Sequence, residues 1–369
     1  MGMTMRQNFA PLAAEHSNNL NLIRLIAALS VLVSHAWPIT LGPGAVEPLE
    51  ALTGFSLGAL SVFTFFAISG FLISASFERS DGLWTYLRAR AARIYPGLIV
   101  SIALVTLGLG PIFSTLPVPS YFAASETWQA FFGNSSLLRL HYHLPGVFED
   151  TPYKTVQGSL WTLPVEMRLY VVVALLGLLG MFRRPVLLAL TCGLGLLVVS
   201  FSGSLEFRGA HALRSLWYPG LPFFLGMAMY LARNRLPASS IIAFALVLVS
   251  VLCAHGPLGY VTMALAVSYA VLYLAGRESG PLRLWNQVGD YSYGTYIYAF
   301  PVQGMVIALW GGMSPVENIA ISAPITLGLA VLSWHWVERP AMRAIRRRGQ
   351  VKPQISTPSA SSGHLSTGP

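Results

Sequence analysis

The sequence predicts an all-α integral membrane protein of about ten transmembrane helices, with both termini on the cytoplasmic side. Three observations carry this prediction. The 369 residues are 54% hydrophobic and only 10% charged, with a mean hydropathy of +0.60, whereas soluble chains carry about 25% charged residues. Ten stretches are apolar over the roughly 20 residues that a helix needs to cross a bilayer. Lysine and arginine favour alternate loops. Soluble, disordered and fibrous classes are therefore excluded.

The predicted spans follow the apolar runs along the chain. Their approximate limits are 20–37, 52–77, 94–113, 163–182, 185–202, 216–232, 238–254, 258–275, 291–310 and 320–336. The longest loop, at 114–162, is rich in aromatic residues and proline, and loops of this length in compact proteins are usually functional. Within it, residues 126–132 are expected to form a short interfacial helix.

The net charge of +9 follows the predicted topology. With a cytoplasmic N-terminus, seventeen of the 23 Lys and Arg residues fall on the cytoplasmic side and four on the outer side, the asymmetry that orients membrane proteins. These residues form no cluster typical of nucleic-acid binding, so no nucleic-acid partner is expected. The chain divides into a cytoplasmic segment at 1–18, a transmembrane domain at 19–345, and a tail at 346–369 that is basic and then disordered.

Cysteine and histidine patterns do not indicate a metal site. Cys192 and Cys253 lie inside apolar runs, so a disulfide framework and a zinc site are both excluded. His141 and His143 would share one face of an extended loop, as a metal pair does, but no third ligand accompanies them. No metal is therefore predicted.

Two ionisable residues lie in the first span, where burial in a bilayer is costly and marks functional candidates. Arg24 and His35 are eleven positions apart, so on a regular helix they share one face about 16 Å apart. In the alternative interpretation, Arg24 snorkels to lipid phosphates and His35 is an interfacial cap.

A pair of arginines, Arg90 and Arg93, lies on the cytoplasmic side before the third span. Their i, i+3 spacing places them on one helix face, where two guanidinium groups can bind a phosphate or diphosphate. The alternative is an anchor that contacts lipid headgroups. Pro96 is expected at the start of the helix that follows.

A carboxylate, Glu166, lies near the outer end of the fourth span and needs a partner at that depth. Arg168 is two positions further on and faces elsewhere on a helix, so the partner is expected on another helix. The helix count puts His35 at similar depth. A carboxylate beside an imidazole stabilises the imidazolium form, so the two are interpreted as a catalytic pair.

These elements belong to a longer series of matching motifs. The matching positions are Arg24, His35, Phe65, Phe66, Ser69, Gly70, Phe71, Ile73, Arg90, Arg93, Ser159, Leu160, Trp161, Glu166, Tyr170, Tyr291, Ser292, Tyr293, Tyr296, Pro301, Val337, Glu338, Arg339 and Pro340. In this order they resemble the acyltransferase 3 family of multi-pass membrane proteins, over about 19–343. The chain departs from the family at Asn21, where members often have Asp, and at Ala299, where many have His.

The resemblance implies an O-acyltransferase of the bacterial inner membrane. Such an enzyme moves an acyl group, most often acetyl, from cytoplasmic acyl-CoA to a hydroxyl of a cell-envelope or exported carbohydrate. Acetyl-CoA or another acyl-CoA is then the co-substrate, and the bilayer and the carbohydrate are the partners. The motif residues expected to bind substrate are Ser69, Ser159, Trp161, Tyr170, Tyr293 and Tyr296.

The expected mechanism combines the resemblance with the predicted topology. Arg90 and Arg93 hold the CoA phosphates, and the pantetheine arm passes Arg24. His35 then either deprotonates the acceptor hydroxyl or carries the acyl group itself, beside Glu166. The alternative function is a transporter or flippase for a glycolipid or a small anion, against which the lack of an internal repeat argues.

Overall fold

The computed structural model of the chain describes residues 8–14, 18–184, 186–187, 190–194, 210–277 and 288–350. These residues form helices and two isolated β-bridges, Asn8 with Pro237 and Ser114 with Val147, and they contain no strand. The all-α class is therefore confirmed. The disordered part of the predicted tail, after Lys352, lies outside the described residues, and so does most of the fifth predicted span, 185–202.

The helices are numbered in chain order. They are α1 Ala10–Ala14, α2 Leu20–Leu41, α3 Pro48–Thr53, α4 Leu57–Glu78, α5 Leu83–Ala103, α6 Val118–Ala123, α7 Ser125–Ser136, α8 Thr162–Leu178, α9 Ala210–Leu231, α10 Ser240–Cys253, α11 Gly259–Gly276, α12 Ser292–Trp310, α13 Pro315–Ser333 and α14 Arg339–Gln350. A π-helical turn, Leu104–Leu109, extends α5 to Phe113, and another, Trp334–Glu338, joins α13 to α14.

Six helical segments of the described chain are long and apolar enough to cross a membrane. They are Leu20–Leu41, Leu57–Glu78, Leu83–Phe113, Gly158–Leu178, Gly259–Gly276 and Pro315–Ile345. Helix α10 is apolar but has 14 residues, and α9 and α12 have 22 and 19 residues with prolines inside. The structure thus supports a multi-pass membrane protein, and the count of ten spans stays a prediction.

Two helix boundaries differ from the expected ones. Helix α5 begins at Leu83, eleven residues before the predicted start, so Arg90 and Arg93 lie inside this helix and Pro96 is an interior residue. The second predicted span is divided at Gly54, whose φ of 73° ends α3 before α4 begins. Glycine adopts this left-handed conformation without steric cost, which explains the break.

One end of the bundle, which we call the basic end, brings together distant chain segments. Phe9 N–H donates to the Arg233 carbonyl at 3.1 Å, Arg79 donates to the Ala13 carbonyl, and Asn19 Nδ2 donates to the Arg277 carbonyl at 3.0 Å. The predicted alternation of loops requires these segments to lie on one side, and in the structure they do.

The opposite end, which we call the cap end, is covered by residues 114–157. The predicted helix at 126–132 is present there as α7. Buried Asn134 links α7 to the loop that follows it. Its Nδ2 donates to the His141 carbonyl and to Gln157 Oε1, both at 2.8 Å, and its Oδ1 accepts from His141 N–H at 2.7 Å. Tyr121 donates to the Thr106 carbonyl at 2.8 Å, and burial raises the pKa of Tyr121 to about 12. The cap is therefore a folded structure.

Three helices fix the depth of the functional residues. Helices α2 and α4 are antiparallel, and a Cβ added at Gly58 would lie 3.0 Å from Ser34 Oγ. Helices α2 and α12 run parallel, because Arg24 pairs with Asp290 just before α12 while His35, eleven residues after Arg24, contacts Phe300, ten residues after Asp290. Arg24 therefore lies toward the basic end and His35 toward the cap end.

Candidate active site

A network of charged groups lies where α2, α5, α12 and the second π-helical turn meet. Arg93 Nη2 lies 2.5 Å from Asp290 Oδ2, and Arg93 Nη1 lies 3.3 Å from Glu338 Oε2. Arg24 Nη1 approaches the same Asp290 oxygen at 3.5 Å. These carboxylates are 9% and 1% exposed, and pairing offsets the cost of removing such charges from water.

Neighbouring groups hold this network in place. Asp290 Oδ1 accepts from the Ser292 hydroxyl, and Glu338 Oε1 accepts from the Ser333 hydroxyl at 2.9 Å. The Arg93 guanidinium also lies 5.6 Å from the centre of the Tyr293 ring, within the range of a cation–π contact. Arg93 is thus surrounded by groups of the protein itself.

Glu166 is held by hydroxyl groups. Ser69 Oγ donates to Glu166 Oε1 at 3.0 Å, and the Tyr170 hydroxyl donates to the same oxygen. The partner on another helix that the sequence required is therefore Ser69 on α4, whereas Arg168 is exposed. Glu166 Oε2 takes part in neither of these bonds.

A cavity of about 420 Å³ connects these residues. Its walls include Arg24, Ser69, Arg93, Glu166, Tyr170, Tyr293 and Tyr296. Along α4 it extends from Arg79 to Val62, which at 1.5 Å per residue is about 25 Å and close to the roughly 30 Å thickness of a hydrocarbon core. Met342 and Ile345 of α14 line its basic end.

Arg90 also lines the cavity, but its environment differs from that of Arg93. Within the described part of the chain it forms no ion pair, and its Nε is buried without a hydrogen-bond partner. The sequence predicted that Arg90 and Arg93 act as an equivalent pair. The structure separates them, since Arg93 is neutralised by two carboxylates and Arg90 retains an uncompensated charge.

Tyr296 closes the cavity toward the cap end. Its hydroxyl donates to the Ser159 carbonyl at 2.8 Å and shares a hydrogen bond of 2.7 Å with Thr162 Oγ1. Ser159 Oγ donates back to the Tyr296 carbonyl at 3.3 Å. These bonds tie the turn Gly158–Trp161 to α12, and Trp161 packs half-buried against the same core.

His35 lies beyond this closure. It does not belong to the residues that line the cavity, and the pairing of Ser34 with Gly58 places it about 6 Å past Val62 along the bundle. Its ring contacts Phe300 edge-on, with centroids 5.1 Å apart, and its Nδ1 has no hydrogen-bond partner. The expected contact between His35 and Glu166 is therefore wrong, because Glu166 is one or more helical turns deeper and already holds Ser69 and Tyr170.

Comparison with known proteins assigns the chain to a family. The profile of an acyltransferase domain, Acyl_transf_3, matches residues 17–335. The chain belongs to the acyltransferase 3 family. An O-acetyl transferase of Shigella phage Sf6 is 34% identical over 338 residues, which cover 88% of this chain and 95% of that protein. Nodulation protein 10 of Rhizobium leguminosarum bv. viciae is 29% identical over 367 residues, covering 89% and 94%. No solved structure matches the chain.

As a member of the acyltransferase 3 family, the chain is a membrane-embedded O-acyltransferase. Twelve of the 24 motif residues line one cavity, although they come from distant parts of the sequence. Asp290 was missed by the sequence interpretation, and it is the residue that joins Arg24 to Arg93. The sequence feature that could have identified Asp290 is its position, as a lone carboxylate directly before the motif of Tyr291 and Tyr293. Glu338, one of the motif residues, is the second partner of Arg93.

Proposed function

We propose that this acyltransferase moves an acyl group, most often acetyl, from cytoplasmic acyl-CoA to a hydroxyl of a cell-envelope or exported carbohydrate, in the bacterial inner membrane. The observation that carries the proposal is the cavity itself. It runs from the arginines of the basic end to Glu166, so an extended donor with phosphates at one end fits its charge and shape. The names of the two relatives, an O-acetyl transferase and a nodulation protein, agree with it.

The donor enters from the basic end, which on this proposal faces the cytoplasm. Arg90 binds a phosphate of CoA, since its guanidinium has no carboxylate partner among the described residues. Arg24 and Arg93 shape the wall that the pantetheine arm passes. The thioester then lies near Glu166 and Ser69, where the carboxylate is positioned by hydroxyl groups.

The acceptor hydroxyl approaches from the cap end, where His35 lies. As general base, His35 takes the hydroxyl proton while the oxygen attacks the acyl carbonyl, and CoA leaves as the thiolate. As acyl carrier, it first takes the acyl group on a ring nitrogen and then yields it to the acceptor. In both cases Tyr296 or Phe300 has to move, because these rings lie between the cavity and the imidazole.

Purified protein in lipid nanodiscs, supplied with radiolabelled acetyl-CoA and envelope glycan, tests this function. The expected result is labelled glycan, with the acetylated sugar identified by mass spectrometry of glycans from cells with and without the gene. His35→Ala is expected to lower kcat by at least about a hundredfold, within the range of general acid–base catalysis. His143→Ala, at an exposed histidine of the cap, serves as the control.

Two results would contradict the proposal. A His35→Ala variant with wild-type kcat removes this histidine from the reaction. A wild-type protein that moves glycolipid or anion across the membrane without consuming acetyl-CoA is a transporter or flippase instead.

A further inference from the structure

Arg79 ends α4 at the mouth of the cavity. It is the C-cap residue of that helix, its side chain is exposed, and it lines the cavity together with Arg90. Its Nη1 donates to the Ala13 carbonyl of α1, so the short N-terminal helix fixes where the guanidinium lies. Sequence interpretation assigned Arg79 only to the charge asymmetry of the loops.

Glu78, the carboxylate nearest to Arg79 in sequence, is paired with other residues. Glu78 Oε2 accepts from the Tyr230 hydroxyl at 2.5 Å and lies 3.5 Å from Arg233 Nη2. Within the described ranges Arg79 forms no ion pair with any acidic residue. A cation that is held by a backbone carbonyl and has no counter-charge keeps its other nitrogens available for an anion.

The four arginines of the cavity therefore fall into two classes. Arg24 and Arg93 share Asp290, whereas Arg79 and Arg90 have no carboxylate partner in the part of the chain that is described. Helix rise places Arg90, seven residues after the start of α5 at Leu83, about 10 Å deeper than the mouth. The cavity thus presents two uncompensated cations at two different depths.

We propose that Arg79 binds the ribose 3′-phosphate of CoA at the mouth and that Arg90 binds its diphosphate deeper in the cavity. This assignment rests on the proposed function. It follows the order of groups along CoA, in which the 3′-phosphate lies on the nucleotide and the diphosphate joins the nucleotide to the pantetheine arm. It also replaces Arg93 as the second phosphate ligand, because Arg93 is surrounded by Asp290 and Glu338.

A comparison of two donors separates the roles. Initial rates are measured with acetyl-CoA and with acetyl-3′-dephospho-CoA for the wild type, Arg79→Gln and Arg90→Gln. With acetyl-CoA, both variants are expected to raise KM, by about three- to tenfold for exposed Arg79 and by more for Arg90, with kcat unchanged for Arg79→Gln. With the dephospho donor, Arg79→Gln is expected to match the wild type, while Arg90→Gln retains its defect. Arg88→Gln, on α5 but outside the cavity lining, is the control.

The outcomes are distinguishable from one another. If Arg79→Gln leaves the KM for acetyl-CoA unchanged, or raises it equally for both donors, the assignment of the 3′-phosphate is wrong while the proposed function stands. If the wild-type protein binds neither acetyl-CoA nor acetyl-3′-dephospho-CoA in a direct titration, the proposed function itself fails. Nanodiscs of neutral and of anionic lipid provide the second arm: an effect of Arg79→Gln that appears only with anionic lipid assigns Arg79 to lipid headgroups and overturns the proposal.

Discussion

At the residue scale, one carboxylate organises the charged network. Asp290 lies between Arg24 and Arg93, so its removal leaves two largely buried guanidinium groups that repel each other. Breaking a buried pair in this way costs about 3–5 kcal/mol, and part of this cost is relieved here because Arg93 keeps Glu338.

We therefore expect Asp290→Asn to lower the free energy of unfolding by about 2–3 kcal/mol and to reduce kcat. The loss of stability is measured by thermal unfolding in detergent, with the fraction of monodisperse protein as the signal. The control is Glu149→Gln, which breaks an exposed pair with Lys154 whose side chains are 44% and 57% exposed and should leave the melting temperature unchanged. Equal melting temperatures for the two variants would show that the network does not stabilise the fold.

The sequence predicts Arg24, Arg90, Arg93 and Glu166 as site residues, and all four line the cavity, but it does not predict their partners. Spacing on one helix shows which side chains share a face, and for this reason Arg90 and Arg93 looked equivalent. The groups that distinguish them come from far along the chain: Asp290 is 197 residues and Glu338 is 245 residues from Arg93. Only tertiary packing reveals which arginine has been neutralised.

At the element scale, two glycines allow α4 and α9 to touch. A Cβ added at Gly70 would overlap the Phe223 carbonyl oxygen, and one added at Gly226 would overlap the Ala67 carbonyl oxygen. Small residues let helix backbones approach closely in membranes, where packing rather than water drives association. The contact holds Ser69 at the depth where it meets Glu166.

Gly70→Ala is expected to separate these helices and to lower the free energy of unfolding by about 3 kcal/mol, the upper end of the usual range for overpacking, since the atoms that would clash belong to the backbone and cannot rotate away. The measurement is the melting temperature and the yield of folded protein on size exclusion. Gly328→Ala on α13 is the control, because no atom lies within 4 Å of its added Cβ. A Gly70→Ala protein as stable as this control would refute the close contact.

Hydropathy predicts where helices exist better than where they begin. The third span was expected to start at residue 94 because three arginines precede it, yet α5 starts at Leu83. Charged residues normally end an apolar span, but here Arg93 is paired with acidic residues and Arg90 faces the cavity. The helix therefore continues through residues whose low average hydropathy predicts a loop.

At the scale of the whole molecule, the segments of the basic end and of the cap end are expected to face opposite compartments. Replacing both cysteines, Cys192 and Cys253, by serine gives a background for single cysteines. A cysteine at Lys154 in the cap should react with an impermeant maleimide on intact spheroplasts. One at Arg343 of α14 should react only after lysis. Reaction of both without lysis would refute the predicted orientation.

The hydrogen bonds of the Tyr296 hydroxyl close the cavity on the side of His35. On the proposed function the donor and the acceptor approach from opposite ends of the bundle, so we expect them to bind in random order. Product CoA should then compete with acyl-CoA but not with the carbohydrate. If His35 carries the acyl group, CoA departs before the acceptor reacts, and double-reciprocal plots become parallel lines. The pattern of those lines thus reports whether His35 moves a proton or an acyl group.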